Sequence, residues 1–179
     1  MNMTFQQLIS SAPRIVRKKL EQLKFLRERP DFHPEKSCFE HIRIVTERLM
    51  ETGDADLILS GVLHDICKLD TVRENPKTGW PTSSGHDQAA YDLIMEDATG
   101  EIQEWISDNG GNVTNVANIC LNHMRFHQLP NMRTSKKEAQ VLEWEHKGIL
   151  KKLEIFGAAD NMLATFDLND LQKSWKSIP

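Results

Sequence analysis

A chain of 179 residues with 39% hydrophobic content can bury one good core and leaves no room for a second full domain. A net charge of −4, with acids and bases interspersed, supplies no global attraction for nucleic acid or an anionic membrane, so any phosphate recognition has to be local. Cys38, Cys67 and Cys120 are widely spaced and include no C-x-x-C, which indicates neither a disulfide framework nor a zinc knuckle and suits a reducing cytoplasm. Met1 to Gln7 lacks a basic stretch followed by an apolar one, and no run of about 18 apolar residues occurs, so the sequence predicts a soluble, unprocessed, intracellular protein with no membrane partner.

In chain order, Thr4 to Gln7 has the form of a capping box, and the apolar run that follows halts near Pro13. A second helix is predicted from about Arg14, with Val16, Leu20 and Leu23 as its core stripe and Arg17, Lys18 and Lys19 as a solvated face. Pro30 and Pro34 bracket a loop in which His33 reads as a surface or loop-bracing residue. Residues 37 to 52 are helical in pattern, with Cys38, Ile42, Val45 and Leu49 on one stripe and His41 beside it, facing inward.

Residues 57 to 70 are predicted to form a central buried helix, because Leu57, Ile58, Leu59, Val62, Leu63 and Ile66 cover nearly every side of it. His64 and Asp65 sit side by side within that segment. A carboxylate in such surroundings costs several kcal/mol unless it is paired or binds a metal, and the local sequence supplies no partner. Residues 71 to 85, with Pro76, Gly79, Pro81 and Gly85, read as a long loop of the kind that is usually functional or mobile. In that loop Trp80 is a candidate lid residue stacking on a base. Ser84 to Asp87 reads as a capping-box start for a helix through about residue 98, placing His86 in its first turn.

Asn109 to Asn112 is a turn. The helix after it carries Val113, Val116, Ala117, Cys120 and Met124 on its apolar face, His123 on its edge and His127 one turn further. Residues 128 to 135, with Pro130, break that helix, and residues 136 to 153 are helical in composition apart from Gly148. A last helix over residues 149 to 166 is predicted to turn Ile149, Leu153, Phe156, Leu163 and Ala164 inward, with Asp160 on the same stripe. With no convincing strand pattern, repeat or interdomain linker, the expectation is an all-α, single-domain helical bundle.

His41, His64, Asp65, His86, His123 and Asp160 are thus polar residues at inward positions on five predicted helices. One inward histidine is ordinarily a hydrogen-bonded core residue. Six such groups, two of them acids, are hard to satisfy by hydrogen bonds alone. Imidazole and carboxylate without thiolate suit one or two divalent transition-metal ions, Mn, Fe, Co, Ni or Zn, and are too rich in nitrogen for the oxygen cage that magnesium prefers.

The order His41, His64-Asp65, Asp160 resembles the HD-domain superfamily of metal-dependent phosphohydrolases. The wording is most similar to the HD domain attached to bacterial tRNA nucleotidyltransferases: His33-Pro34-Glu35 leading to Phe39 and His41, Leu63-His64-Asp65-Ile66 followed by Lys68 and Thr71, Gly85-His86-Asp87, Asn122-His123-Met124, and Ala158-Ala159-Asp160-Asn161. The resemblance spans residues 31 to 165, with residues 1 to 30 expected to pack on that core as helices and residues 166 to 179 as a tail. The nucleotidyltransferase head is absent, so nucleotide addition is not expected, and Cys67 stands where the family commonly has glycine.

The resemblance implies that His41, His64, Asp65 and Asp160 hold a first metal, and that Asp65 bridges to a second held also by His86 and His123. Asp65 and Lys68 are the catalytic candidates. Lys68 and Arg125, with Arg133 and Lys136 behind them, are candidates for holding the phosphate, and His127 for a proton donor or a supporting group. The implied reaction is hydrolysis of a phosphomonoester or phosphodiester, with a nucleotide, a 2′,3′-cyclic nucleotide or an RNA end as substrate class. Three rival readings stay open: a diiron oxygenase with the same ligand set, a phosphohydrolase of deoxynucleoside mono- or triphosphates, and a binding module that keeps its metal for structure.

Overall fold

The computed structural model describes residues 3–31 and 33–170, and these form the expected all-α bundle. The first two helices are α1 (Phe5–Ser11) and α2 (Arg14–Leu23). The Thr4 hydroxyl and the Gln7 side chain close the predicted capping box at the start of α1. Next come α3 (Cys38–Met50) and α4 (Ala55–Leu63), which open on Ser37 and Asp54; each side-chain oxygen accepts from a backbone N–H in the first turn. A short helix, α5 (Lys68–Thr71), leads into a two-stranded antiparallel hairpin of β1 (Arg73–Glu74) and β2 (Pro81–Thr82). The chain is completed by α6 (His86–Met95), α7 (Glu101–Asp108), α8 (Val113–Gln128), a 3-10 turn (Leu129–Asn131), α9 (Thr134–His146) and α10 (Leu150–Asp160).

α4 runs through the middle because both of its sides are apolar. Leu59, Val62 and Leu63 join a cluster with Leu8, Val16, Leu20, Ile42, Ile94 and Ile106. On its other side Leu57 joins Val45, Leu49, Ile119, Trp144, Leu153 and Phe156. Gly61 lets α3 cross α4 closely, since a Cβ there would stand 3.0 Å from the Thr46 Cα. Asp56 anchors α8 to the start of α4 by accepting from the Asn112 amide at 2.6 Å and from the Asn115 side chain at 2.8 Å. Lys152 of α10 pairs with Asp54 and Asp56 at the same end.

Several predicted boundaries move. The central helix stops at Leu63, and residues 64 to 67 form a tight turn before α5, so His64 and Asp65 stand at a helix terminus and not in mid-helix. The last helix ends at Asp160, because Asn161 is extended (ψ 98°) and Arg48 takes over the carbonyls of Ala159 and Asn161 at 2.8 and 3.1 Å. Leu163 and Ala164, expected inward, are exposed. No capping box forms at Ser84: the N-cap of α6 is Gly85, in the left-handed region at φ 85°, where it makes no side-chain cap. The hairpin and α7 are additions, and the expected C-terminal tail beyond Asp170 lies outside the described residues.

Candidate metal centre

Six polar side chains meet where the ends of α4 and α10 approach the inner faces of α3, α6 and α8. His41, His64, Asp65, His86 and His123 are buried, and the Asp160 side chain is 8% exposed. Each imidazole is aimed by an acceptor on its Nδ1. His64 donates to the Gly61 carbonyl at 2.9 Å, His86 to Ser83 at 2.6 Å and His123 to Cys120 at 2.6 Å, while His41 Nδ1 meets Glu35 Oε1 at 2.7 Å. With Nδ1 occupied in this way, Nε2 of each ring points to the interior and presents a lone pair there when the ring is neutral.

The Nε2 atoms converge in two groups that share Asp65. In the first, His41 Nε2 lies 2.8 Å from Asp160 Oδ1, and His64 Nε2 lies 3.2 Å from Asp65 Oδ2 and 3.8 Å from Asp160 Oδ1. In the second, Asp65 Oδ1 lies 3.0 Å from His86 Nε2 and 3.8 Å from His123 Nε2. The two Nε2 atoms of that second group are 3.2 Å apart. Yet His41 Nε2, His64 Nε2 and Asp65 Oδ1 are buried without an aligned hydrogen bond to any described residue.

Close approach without hydrogen-bond alignment is what the donor atoms of a metal site show. Metal–ligand bonds of about 2.0–2.1 Å put neighbouring ligands roughly 2.9–3.4 Å apart in octahedral or tetrahedral arrangements; the separations of 3.0 and 3.2 Å fall in that range, His41–Asp160 at 2.8 Å lies just below it and the 3.8 Å pairs lie above it. The imidazole and carboxylate donors therefore form two groupings that could each hold a metal ion, one of His41, His64 and Asp160 and the other of Asp65, His86 and His123, with Asp65 turning its second oxygen toward the first.

Electrostatics favour the ligand forms of His123, Asp65 and Asp160. Burial and the neighbouring His64 push His123 down to about 3, which keeps its ring neutral and its lone pair available. Burial opposes the charge on Asp65 and Asp160, but His64 and Lys68 around the first, and His127 and His41 around the second, hold both well below the usual carboxylate range. Burial would lower His41, but the Asp160 and Glu35 carboxylates outweigh it and raise this histidine to about 10, so without an ion its Nε2 carries a proton toward Asp160 that an arriving metal has to displace.

Above the cluster opens a cavity of about 790 Å³, a size suited to a nucleotide-sized ligand. Its floor includes His41, Asp65, His86, His123 and Asp160. Trp80 and Pro81 of the hairpin, Arg27 and Arg29, and the apolar Met124, Met162 and Leu163 also line it.

The remaining sequence candidates fare unevenly. Lys68 reaches the cavity, but its ammonium is held 2.8 Å from Asp65 Oδ2 and 2.7 Å from Glu28 Oε1. His127 also lines the cavity and places Nε2 2.7 Å from Asp160 Oδ2. Arg125 and Arg133 lie outside the cavity wall formed by the described residues: Arg125 is exposed and donates to Gln140 at 3.2 Å, and Arg133 is exposed at the N-cap of α9. Lys136 is likewise exposed and off the wall.

Three contributors were not anticipated. Glu35 is a buried carboxylate that braces both His41 and His33, the latter at 2.9 Å, and the two hydrogen bonds overcome burial to bring it down to about 2. Glu28 holds Lys68 from an extended segment, and Arg27 stands beside it on the wall. The only sequence signal for Glu35 was its place in the His33-Pro34-Glu35 motif. Glu28 and Arg27 carried none. Against protein-family models, curated proteins and solved structures, the chain has no match.

Proposed function

We propose that this protein is a metal-dependent phosphohydrolase that cleaves a phosphomonoester or phosphodiester of a nucleotide, with 2′,3′-cyclic nucleotides as the first candidates. The observation that carries this reading is the pair of donor groups sharing Asp65 on the floor of a nucleotide-sized cavity. The motif order that resembles HD-domain phosphohydrolases points the same way. His41, His64, Asp65 and Asp160 would hold one ion, and Asp65, His86 and His123 the other. Bound there, the ions supply activation of water and stabilisation of the charge that builds on the phosphoryl oxygens.

The chain's own groups do the rest. Glu35 fixes the tautomer and direction of His41, and the three backbone carbonyls do the same for His64, His86 and His123. Lys68, 2.8 Å from Asp65 Oδ2, helps to keep Asp65 ionised. Arg27 offers a planar pair of donors to a phosphate oxygen from the cavity wall. The Trp80 ring and Met124, Met162 and Leu163 supply apolar surface for a base. His127, held on Asp160 and lining the cavity, would serve as the donor toward the leaving group.

The test is a hydrolysis screen of 2′,3′-cyclic, 3′,5′-cyclic, mono- and triphosphate nucleotides with Mn, Co, Ni, Fe and Mg. His86→Ala, which removes one donor of the second group, is the control. The reading expects turnover on at least one nucleotide class that requires a transition metal and falls at least a hundredfold in the variant. Turnover on none of them, with metal bound, would overturn it.

A further inference from the structure

Lys68 is unusual among the cavity-floor groups in being a cation among ligands. Its Nζ stands 2.7 Å from Glu28 Oε1 and 2.8 Å from Asp65 Oδ2, with the side chains of Lys68, Glu28 and Asp65 only 10%, 13% and 2% exposed. The thiol of Cys38, fully buried, completes the set: Glu28, Cys38 and Asp65 each present a ligand atom within 4.8 Å of the other two. These groups arrive from separate elements. Glu28 comes from the extended segment after α2, Cys38 from the first turn of α3, and Lys68 from the first position of α5.

Two carboxylates this close and this buried need a positive charge between them. Two carboxylate oxygens and a thiol are also a donor set that divalent zinc or cobalt accepts. Lys68 meets the first need and thereby prevents the second.

We propose that the Lys68 ammonium is a protein-borne cation filling a third cation position beside the metal pair, and that it limits the centre to two ions. Resting on the dinuclear reading above, this assigns Glu28, Cys38 and Asp65 as the ligands of a third ion once the ammonium is removed. Binding there releases the Cys38 proton to solvent, since the thiolate is the ligand form. The fixed charge is present whatever the metal supply, so Asp65 keeps one counter-charge even before its ions arrive.

The experiment is metal stoichiometry by native mass spectrometry on the full chain saturated with Co(II) or Zn(II). Wild type is expected to hold two ions and Lys68→Ala three, with a cobalt–thiolate absorption that wild type lacks. Lys68→Ala combined with Glu28→Gln is expected to return to two and lose that absorption. Lys68→Met, which keeps the aliphatic stem and removes only the ammonium, serves if the alanine variant does not fold. Two ions in both folded Lys68 variants would overturn the inference and leave the dinuclear reading intact. Fewer than two would also overturn it, by showing that Lys68 holds Asp65 in place and does not exclude an ion. No ion in wild type would overturn both.

Discussion

The ring of Phe126 on α8 lies against the backbone of Gly157 on α10, so closely that a Cβ at 157 would stand 2.6 Å from the Phe126 Cδ1 and Cε1 atoms. Asp160 is three residues further along α10, where its carboxylate meets His41 and His127. The fit of these two helices therefore sets the position of one donor of the centre. Gly157→Ala is expected to force them apart and to cost about 1–3 kcal/mol of stability, the usual range for an overpacked core. Metal affinity should fall with it. Thermal denaturation with and without metal checks both, and a variant as stable as wild type would show that Phe126 can swing aside.

Glu35 touches no substrate position, yet it is the acceptor that aims His41. Losing such a support typically costs 10–100-fold in metal affinity. Glu35→Gln should show a loss of that size by competition with a chelator, while the circular dichroism spectrum stays that of wild type. An unchanged affinity would mean that packing alone orients His41.

Asp56 gives a pH dependence away from the centre. Burial would raise its pKa, but the Asn112 amide, the Asn115 side chain and Lys152 outweigh burial and hold it below the ordinary aspartate value. A depressed carboxylate contributes stability in full above its unfolded value, near ~3.9, and loses it as pH falls through the lower folded value. The stability gap between wild type and Asp56→Asn should thus be constant from pH 7 to about pH 5 and narrow below about pH 4. Urea titrations across that range test it. A gap that widens on acidification would contradict the assignment.

Trp80 and Arg27 both line the cavity and are candidate contacts for base and phosphate. Stacking of one base is worth about 1–3 kcal/mol, so Trp80→Ala is expected to raise KM for nucleotide substrates by about tenfold with little change in kcat. Arg27→Ala should raise KM for the same substrates. Unchanged KM in either variant would remove that residue from the binding site.

The parts of this site legible in the sequence are those written by periodicity. His41 beside the Cys38, Ile42 and Val45 stripe, and His123 beside Ala117 and Cys120, had to face inward, and they do. The partners of these residues were not legible, because Glu28 and Glu35 sit in extended or turn segments, where no period tells which way a side chain points. Arg125 and Arg133 show the converse. Their charge suggested a phosphate contact, but their register on α8 and before α9 turns them to solvent. α7 was missed although Ile102, Trp105 and Ile106 have helical spacing and are buried. The early end of α10 was invisible for a different reason: the Arg48 guanidinium that takes its last carbonyls comes from more than a hundred residues upstream.

The most direct test of the central claim is the transition-metal content of protein purified without added metal, measured beside Asp65→Ala. Because Asp65 turns one oxygen to each donor group, the account predicts about two ions per chain in wild type and loss of both, or retention of at most one weakly held ion, in the variant. Wild-type protein that carries no transition metal and takes none up, or a variant that keeps both ions, would contradict it.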